Sequence, residues 1–343
     1  MAASVPSRDF AAFGFPVAPV PFTQLQSEVL ALYMPPMRAK KTYLIMRLVL
    51  SRVGNLLAPD ATTAELATPA LVARYIAAQP PGQSNNTLLT HLATLRTVCT
   101  YAMQMGYIRI SPFFLRKVGS WVRREKSRRP RQHVSREEIS RILAKAKSEI
   151  TRKRSHSQAG PWSEWRARRL HTLVNLVAYT GLRKMEALYL RVEDLDLRAG
   201  LLSVVARAEH RLKTVGSERT VPIALPLAEV LREWLPYVKE HGSGWVFPNC
   251  YGSAPWTGGS HGYRPLDKLK TLGRRAGVPD LTFQVLRHSF ATHARYSGLS
   301  REQVAMLMGH TQLSTQDYYV HEDLPSLKGL TDRLDFGTEG GAK

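Results

Sequence analysis

Cysteine is scarce in this chain, which contains only Cys99 and Cys250 among its 343 residues. These two residues lie far apart and outside any Cys-x-x-Cys pattern, so the sequence predicts neither a disulfide framework nor a zinc finger. Sparse cysteine without a pattern is typical of proteins that work in a reducing cytosol.

A long apolar run is also missing. The most membrane-like stretch, residues 10–27, carries no charge but contains Pro16, Pro19 and Pro21 and turns polar from Thr23. A membrane-spanning helix needs about 20 mostly apolar residues without such breaks. The same prolines interrupt the apolar run that a signal peptide requires. The sequence therefore favours neither a membrane span nor a signal peptide.

Acidic residues are few relative to basic ones. Lys and Arg number 48, Asp and Glu number 27, and the formal net charge is +21. A positive field of this size attracts polyanions, either nucleic acid or an anionic membrane surface. Because no membrane segment is predicted, nucleic acid is the expected partner, and the expected location is the cytoplasm in association with the nucleoid.

The region that follows the N-terminal arm has a helical pattern, from residue 22 to about residue 112. Residues 1 to about 20, rich in Ala, Pro and Phe without a period, are expected to form a poorly ordered arm. Apolar side chains then recur at helical spacing in three segments, 40–56, 71–78 and 86–105. The pattern predicts a bundle of about four helices.

A basic run separates this bundle from the rest of the chain. Residues 116–131 contain eight basic residues and one acid. Such a run is often a solvated face, but at a domain boundary in a strongly basic chain it is at least as well explained as a linker along a phosphate backbone. The candidate DNA contacts are Arg116, Lys117, Arg123, Arg124, Lys126, Arg128, Arg129 and Arg131.

A second domain is expected to begin near residue 135. Ser135 and Glu138 have the spacing of a capping box and precede apolar residues at helical spacing. A longer helix is predicted over 162–179. Thr180 is a candidate cap for another helix over 182–190.

Two strand-like runs follow, at 201–205 and 219–223, joined by a polar stretch that contains Gly216. This pattern predicts a β-hairpin or a short antiparallel sheet. The remainder, to about Tyr319, is again mostly helical. The predicted fold class is mainly α with a small antiparallel β-sheet: a helical domain followed by a mixed α/β domain.

The segment around Arg183 carries a residue suited to phosphate, because the planar guanidinium binds two phosphate oxygens at once and stays charged. Arg183 is expected in the first turn of a helix, where a cation opposes the helix dipole and a structural choice would favour an acid. Glu186, one turn on, can orient the guanidinium. An ordinary surface arginine paired with Glu186 explains this segment about equally well.

The segment around Arg287 is expected to be a helix capped by Thr282, with Gln284 one turn before Arg287. His288, taken alone, is best interpreted as a buried histidine with a satisfied hydrogen bond. His288 and His293 do not share a helix face and no carboxylate lies between them, so no metal site is expected here.

Three further residue types complete the set of candidates. Lys213, in the connection between the strand-like runs, can approach a phosphate and donate a proton. His310 follows Gly309, which suits the left-handed position that ends a helix. Tyr318 and Tyr319 follow eight and nine residues after His310. Each has a structural alternative: a solvated loop lysine, an exposed capping histidine, and core or surface aromatics.

Taken in order, these segments resemble the tyrosine recombinases, the family of Xer-type recombinases, phage integrases and transposon integrases. The intervals also resemble the family's, with 104 residues between the two arginines, 23 from Arg287 to His310 and 9 from there to Tyr319. The resemblance covers most of residues 133–321. It rests on four blocks: 180–188, Lys213 with 219–223, 286–292, and 307–310 with 313–315 and Tyr319.

The resemblance implies roles for these residues. Arg183 and Arg287 would grip the scissile phosphate, and Tyr319 would attack it to give a 3′-phosphotyrosine and a free 5′-hydroxyl. Lys213 would protonate the departing 5′-oxygen, and His310 would hydrogen-bond the phosphate. No metal, cofactor or ATP is implied. Family members act as homo-tetramers on two double-stranded DNA recombination sites and exchange strands through a four-way junction.

One position departs from the family pattern. Where the family usually has His three residues before the second arginine, this chain has Gln284. Glutamine can hydrogen-bond a phosphate oxygen or the tyrosine hydroxyl, but it cannot accept a proton as a base near neutral pH. An altered proton path is therefore expected. Glu186 and His288 are the expected supporting residues.

The resemblance also predicts a C-shaped clamp around DNA, with a C-terminal tail that docks on a neighbouring subunit. Leu324, Leu327, Leu330 and Leu334 recur in this tail at helical spacing. The predicted divisions are a disordered arm (1–20), a helical core-binding, DNA-binding domain (21–115), a basic linker (116–132), a catalytic domain (133–321) and the tail (322–343).

Two alternatives stay open at this level. A type IB topoisomerase shares the pocket chemistry but relaxes supercoils as a monomer, and the separate helical domain and the spacing favour a recombinase over it. The other is a DNA-binding regulator that kept the fold and lost catalysis. Gln284 is the only feature that supports the regulator.

Overall fold

The computed structural model describes residues 17–114, 121–123, 133–152, 163–210, 212, 217–258, 264–309, 333–334 and 336. The chain divides into two units, Met1–Arg128 and Arg129–Lys343. Each unit buries an apolar core of its own. The domain boundaries predicted from the sequence stay predictions.

The described residues of the first unit form a helical bundle. Phe22, Met46 and Leu95 belong to its core, as the helical spacing of apolar residues predicts. Side-chain caps begin two of the helices, because the Thr68 and Ser84 hydroxyls accept backbone N–H groups of the first turn. The helices are α1 (Phe22–Tyr33), α2 (Lys40–Gly54), α3 (Pro69–Ala77) and α4 (Asn85–Gln104).

The second unit surrounds one almost fully buried helix. Its described helices are α5 (Arg136–Ser148), α6 (Ser163–Thr180), α7 (Lys184–Leu188), α8 (Leu225–Glu240), α9 (Pro265–Arg275), α10 (Phe283–Tyr296) and α11 (Arg301–Met308). Helix α6 packs against α5, α8 and α10, so its apolar residues are buried on nearly every face. Ser135 and Glu138 form the predicted capping box at the start of α5. Within the described parts of the chain, no helix is both long and apolar enough to cross a membrane.

A small antiparallel sheet lies beside these helices, with its strands in the order β1–β2–β3. The strands are β1 (Leu195–Asp196), β2 (Leu201–Val204) and β3 (Arg219–Pro222). Leu202 faces Val221 across the β2–β3 pair, and both side chains are buried. The two predicted strands are present, and the short β1 is an addition. The predicted fold class, mainly α with a small antiparallel sheet, is confirmed.

The connection between α6 and α7 differs from the prediction. Thr180 does not cap the following helix; it ends α6, and its hydroxyl donates to the Leu176 carbonyl oxygen. The chain then turns at Gly181 with φ +62°, where an added Cβ would overlap the Phe290 ring. The residue that caps α7 is Arg183 itself, so Arg183 lies just before the first turn.

Part of the predicted tail belongs to the core of the second unit. Leu334 and Phe336 are buried there. The centroid of the Phe336 ring lies 4.9 Å from that of the Tyr179 ring and 5.8 Å from that of the His293 ring. Leu334 is therefore packed within its own chain rather than available to a neighbouring subunit. The other tail leucines, Leu324, Leu327 and Leu330, lie outside the described residues.

Candidate active site

Glu186 holds Arg183 in the position predicted from their spacing. The backbone N–H of Arg183 donates to Glu186 Oε2 at 2.9 Å, and its Nη1 donates to Oε1 at 2.8 Å. The Glu186 side chain is 3% exposed and that of Arg183 is 30% exposed. The carboxylate is thus buried beneath a guanidinium that solvent, or a ligand, can reach.

A second arginine binds the same carboxylate. Arg219, at the start of β3, donates from Nη2 to Glu186 Oε2 at 2.9 Å. It also donates from Nη1 to the Ser217 carbonyl oxygen at 2.9 Å and from Nε to that of Leu307 at 2.7 Å. Sequence reasoning treated Arg219 only as part of a strand. The available signal was a charged residue at the start of an apolar strand-like run, where burial requires a partner.

Arg287 lies on α10, which Thr282 caps as predicted by accepting from the Val285 N–H at 3.1 Å. The residue is 3% exposed. Its Nη1 donates to the Gly181 carbonyl oxygen and its Nη2 to that of Met308, both at 2.6 Å. Arg287 therefore connects the turn before Arg183 with the end of α11.

The C-terminal end of α11 is the point where the three arginines meet. Its last carbonyl groups have no partner within the helix and carry the negative end of the helix dipole, so cations stabilise them. Three successive carbonyl oxygens each accept from a different arginine: Leu307 from Arg219, Met308 from Arg287 and Gly309 from Arg183. We refer to Arg183, Arg219, Arg287 and Glu186 as the arginine cluster.

Gly309 ends α11 in the left-handed conformation, as predicted, with φ 62° and ψ 50°. A Cβ at this position would lie 2.7 Å from Arg219 Nη1, so glycine also permits the close approach of the arginine. His310, the next residue, lies outside the described residues.

The arginine cluster carries three positive charges and one negative charge. Burial, followed by the charge of Arg183 and that of Arg219, lowers the pKa of Arg287 from its ordinary value to about 10. Burial raises the pKa of Glu186, but its hydrogen bond and attraction to Arg219, with those to Arg183, leave that pKa below its ordinary value. Arg287 and Glu186 are thus both charged at neutral pH, and the excess of arginines over acids in the cluster favours an anion.

Gln284 and His288 pair with each other along α10. Gln284 is exposed, and its Nε2 lies 2.9 Å from Nε2 of His288. The amide N–H is the donor in this pair, so the imidazole nitrogen is the acceptor. His288 is half-buried, so the predicted burial is wrong, whereas the predicted hydrogen-bond partner is present in Gln284.

Several predicted site residues lie outside the described residues. They are Lys213, His310 and Tyr319, with Arg116, Lys117, Arg124, Lys126, Arg128, Arg129 and Arg131 of the basic run. Arg123 is described and is exposed. Within the described part of the chain, no group of three or more His, Cys, Asp or Glu side chains could hold a metal ion.

Comparison with known sequences identifies relatives. The profile of the Phage integrase family matches residues 132–324, more than half of the chain. The tyrosine recombinase XerC of Mycobacterium sp. (strain KMS) is 28% identical over 282 residues, which cover 80% of this chain and 85% of that protein. The tyrosine recombinase XerC of Pseudomonas entomophila (strain L48) is 31% identical over 169 residues, 48% of this chain and 52% of that protein.

Solved structures share the fold at low sequence identity. The Tn1549 transposon integrase in complex with transposon right end DNA superposes with a TM-score of 0.63 at 16% identity, covering 92% of this chain and 99% of that chain. The XerH site-specific recombinase bound to difH substrate superposes with a TM-score of 0.57 at 18% identity. The match covers 92% of this chain and 83% of that chain. The family match spans both arginine segments and the sheet between them. This chain belongs to the Phage integrase family and is a tyrosine recombinase, an enzyme of site-specific DNA recombination.

Proposed function

We propose that this enzyme cleaves and rejoins double-stranded DNA at specific sites through a 3′-phosphotyrosine intermediate on Tyr319. The observation that carries the proposal is the meeting of Arg183 and Arg287, 104 residues apart in sequence, at the helix end that directly precedes His310. The Tn1549 integrase and XerH structures are complexes with DNA, which supports DNA as the partner.

In the proposed reaction, the scissile phosphate is bound by Arg183 and Arg287, whose guanidinium groups stabilise the charge that grows on its non-bridging oxygens. His310 hydrogen-bonds the same phosphate. The 30% exposure of Arg183 supports its direct contact with a phosphate oxygen. The excess positive charge of the arginine cluster supports an anion as the species bound there.

The covalent step exchanges one phosphate ester for another. The Tyr319 phenol releases its proton to solvent as its oxygen forms a bond to phosphorus, the bond from phosphorus to the 5′-oxygen breaks, and Lys213 gives that oxygen a proton. The 5′-hydroxyl of a second strand then attacks and returns a proton to Lys213, the bond from phosphorus to Tyr319 breaks, and the phenol takes a proton from solvent. Because the phosphotyrosine conserves the ester bond, the reaction needs no ATP.

The proposed assembly is a homo-tetramer that holds two duplexes and exchanges strands through a four-way junction. In this proposal, residues 21–115 form a core-binding domain, residues 116–132 a basic linker along the DNA backbone, and residues 133–321 the catalytic domain. The exposed position of Arg123 supports the linker's role. Phosphate contacts of this kind make DNA affinity fall steeply with salt concentration.

Trapping of the covalent intermediate tests the proposal. Duplexes that the full chain binds are selected from a randomised DNA pool, and a nick is placed so that the cleaved fragment diffuses away. The wild-type enzyme and Tyr318→Phe should then accumulate a covalent protein–DNA adduct, and Tyr319→Phe should form none. An adduct that persists in Tyr319→Phe refutes the choice of nucleophile. No adduct in the wild type, with DNA binding intact, supports a regulator instead.

Gln284 is expected to limit the removal of the phenolic proton, because an amide is not a base near neutral pH. Gln284→His should raise the rate of adduct formation at least about tenfold near pH 7, with a rate that rises as the histidine loses its proton. An unchanged rate and pH profile would show that the proton leaves by a path independent of this position.

A further inference from the structure

We propose that Arg219 is a positioning residue of the active site, which sets Glu186, and through it Arg183, against the helix end that precedes His310. The inference rests on the proposed function in so far as it takes Arg183 and His310 to bind the scissile phosphate. It assigns Arg219 a task in the reaction although Arg219 itself does not meet the DNA.

The contacts of Arg219 join three segments that are distant in sequence. Its Nη2 binds Glu186, 33 residues earlier; its Nε binds the Leu307 carbonyl, 88 residues later; and its Nη1 binds the Ser217 carbonyl just before β3. A planar guanidinium can bind in these three directions at once, because its donors are arranged as a rigid fork. Arg219 thus ties the first turn of α7 and the C-terminus of α11 to the sheet.

Burial distinguishes Arg219 from Arg183, the arginine whose exposure supports direct contact with a phosphate. Its side chain is 6% exposed, against 30% for Arg183, although both bind the same carboxylate. All three guanidinium nitrogens of Arg219 already donate to protein oxygens. A phosphate bound at Arg183 is therefore linked to Arg219 through the shared carboxylate of Glu186.

Glu186 is the group through which Arg219 acts. Its carboxylate receives Arg219 on Oε2 and Arg183 on Oε1, so the two arginines share one buried negative charge. Without Arg219, Arg183 would be the remaining cation bound to Glu186 in this cluster, and the acid would hold Arg183 more strongly. The guanidinium would then be less available to a phosphate.

The neighbouring backbone also packs closely against the Arg219 guanidinium. A Cβ on Gly309 would approach Arg219 Nη1 to 2.7 Å, so the helix end closes directly over the guanidinium. Lysine keeps the charge but presents a single ammonium, which cannot bind Glu186 and both carbonyl oxygens in the same geometry. Arg219→Lys therefore tests geometry rather than charge.

The experiment compares Arg219→Lys with Arg207→Lys in the full-length enzyme. Arg207 is a matched control, because it also binds a buried acid of the second unit, Asp194, and its side chain is 20% exposed. At saturating DNA, Arg219→Lys should slow adduct formation about 100-fold while the DNA concentration for half-saturation changes less than about threefold. Arg207→Lys should stay within about twofold of the wild-type rate.

Two further readouts separate positioning from a general structural role. Rates are expressed per folded molecule, with the folded fraction taken from thermal unfolding of each variant. Glu186→Gln combined with Arg219→Lys should be little slower than the slower single variant, because both residues act through one contact. Wild-type cleavage by folded Arg219→Lys, or losses that multiply in the double variant, would overturn the proposal.

Inorganic phosphate provides a measurement that does not depend on cleavage. Phosphate should raise the melting temperature of the wild type, and Arg219→Lys should need about tenfold more phosphate for the same rise. If the wild-type enzyme forms no adduct, the proposed function fails and the phosphate titration alone decides the role of Arg219. An unchanged phosphate requirement would then refute the positioning role.

Discussion

Arg169 and Arg287 are both buried in the second unit, and their surroundings are opposite in kind. Arg169, on α6, is 0% exposed and lies with its guanidinium carbon 3.8 Å from the ring centroid of Trp256 and 4.5 Å from that of Trp165. It also donates to the Pro248 carbonyl oxygen. Arg287 is 3% exposed, and the charges that act on it include two further arginines.

The difference shows that burial alone does not identify a functional arginine. Aromatic faces attract a cation, so the two tryptophans offset part of the cost of burying Arg169. Like charges raise that cost, and the pKa of Arg287 is accordingly lowered to about 10. An anion bound near Arg287 would offset the repulsion from the other arginines. Arg169, in contrast, is already stabilised by the two aromatic rings.

The largest expected effect is on the chemistry of the arginine cluster. Arg287→Lys should slow covalent adduct formation about 1000-fold at saturating DNA, because an ammonium lacks the planar fork of donors that binds two carbonyl oxygens and a phosphate in this geometry. The measurement is adduct formation on the nicked substrate, with folding checked by thermal unfolding. A loss smaller than about tenfold would mean that Arg287 is held for structure, as Arg169 is.

The second largest expected effect is a loss of folding stability with little change in the rate of adduct formation. Arg169→Ala should lower the free energy of unfolding by about 3 kcal/mol, since it empties the space between two tryptophan rings in the core. Denaturant titration measures the loss, and adduct formation per folded molecule should stay within about twofold of wild type. A rate that falls as it does in Arg287→Lys would remove the distinction between the two buried arginines.

A third prediction concerns His171, which lies on α6 two residues after Arg169. Burial, followed by the charges of Lys147 and Arg168, lowers the pKa of His171 from 6.5 to about 4. Unlike a buried arginine, this group gives up its proton. As the pH falls from 6.5 to 4, the unfolded chain takes up a proton that the folded chain does not, so stability falls by about 3 kcal/mol in total.

His171→Gln should remove this part of the stability loss at acid pH and should leave the free energy of unfolding at pH 7 similar. Unfolding free energies at pH 7 and pH 4.5 provide the comparison, with the wild type losing more between the two. Equal losses in both proteins would show that His171 is protonated in the folded state.

The smallest expected effect is the response to a simple anion. Phosphate at about five times its dissociation constant should raise the free energy of unfolding by about 1 kcal/mol in the wild type. Arg169→Ala should keep this gain and Arg287→Lys should lose most of it, with ionic strength held constant by chloride. Equal gains in both variants would locate phosphate binding outside the arginine cluster.

Sequence patterns that span only a few residues account for many of the structural features that could be predicted. The capping box of Ser135 and Glu138, the Thr282 cap of α10 and the left-handed Gly309 depend on neighbours within a few residues, and the structure contains all three. The pairing of Arg183 with Glu186 is equally local. The Thr180 cap was wrong because the hydroxyl of a helical threonine can bond back to its own helix, as it does here to Leu176.

Distant contacts account for what could not be predicted. Arg219 has no signal of its role in its own segment, since its partners lie 33 residues before it and 88 residues after it. The packing of Phe336 against Tyr179 of α6 and His293 of α10 is of the same kind. Helical spacing predicts which face of a segment is apolar, but it does not specify which surface that face will cover.

The sequence by itself determined the fold class, the helices with strong caps and the order and spacing of the family's residues, because these depend on residue type and local periodicity. The tertiary structure alone decided that three arginines converge on successive carbonyl groups at one helix end, and that a single buried glutamate joins two of them. The physical reason is that the partners of a buried charge are selected by packing in three dimensions, and packing brings together residues that no local pattern connects.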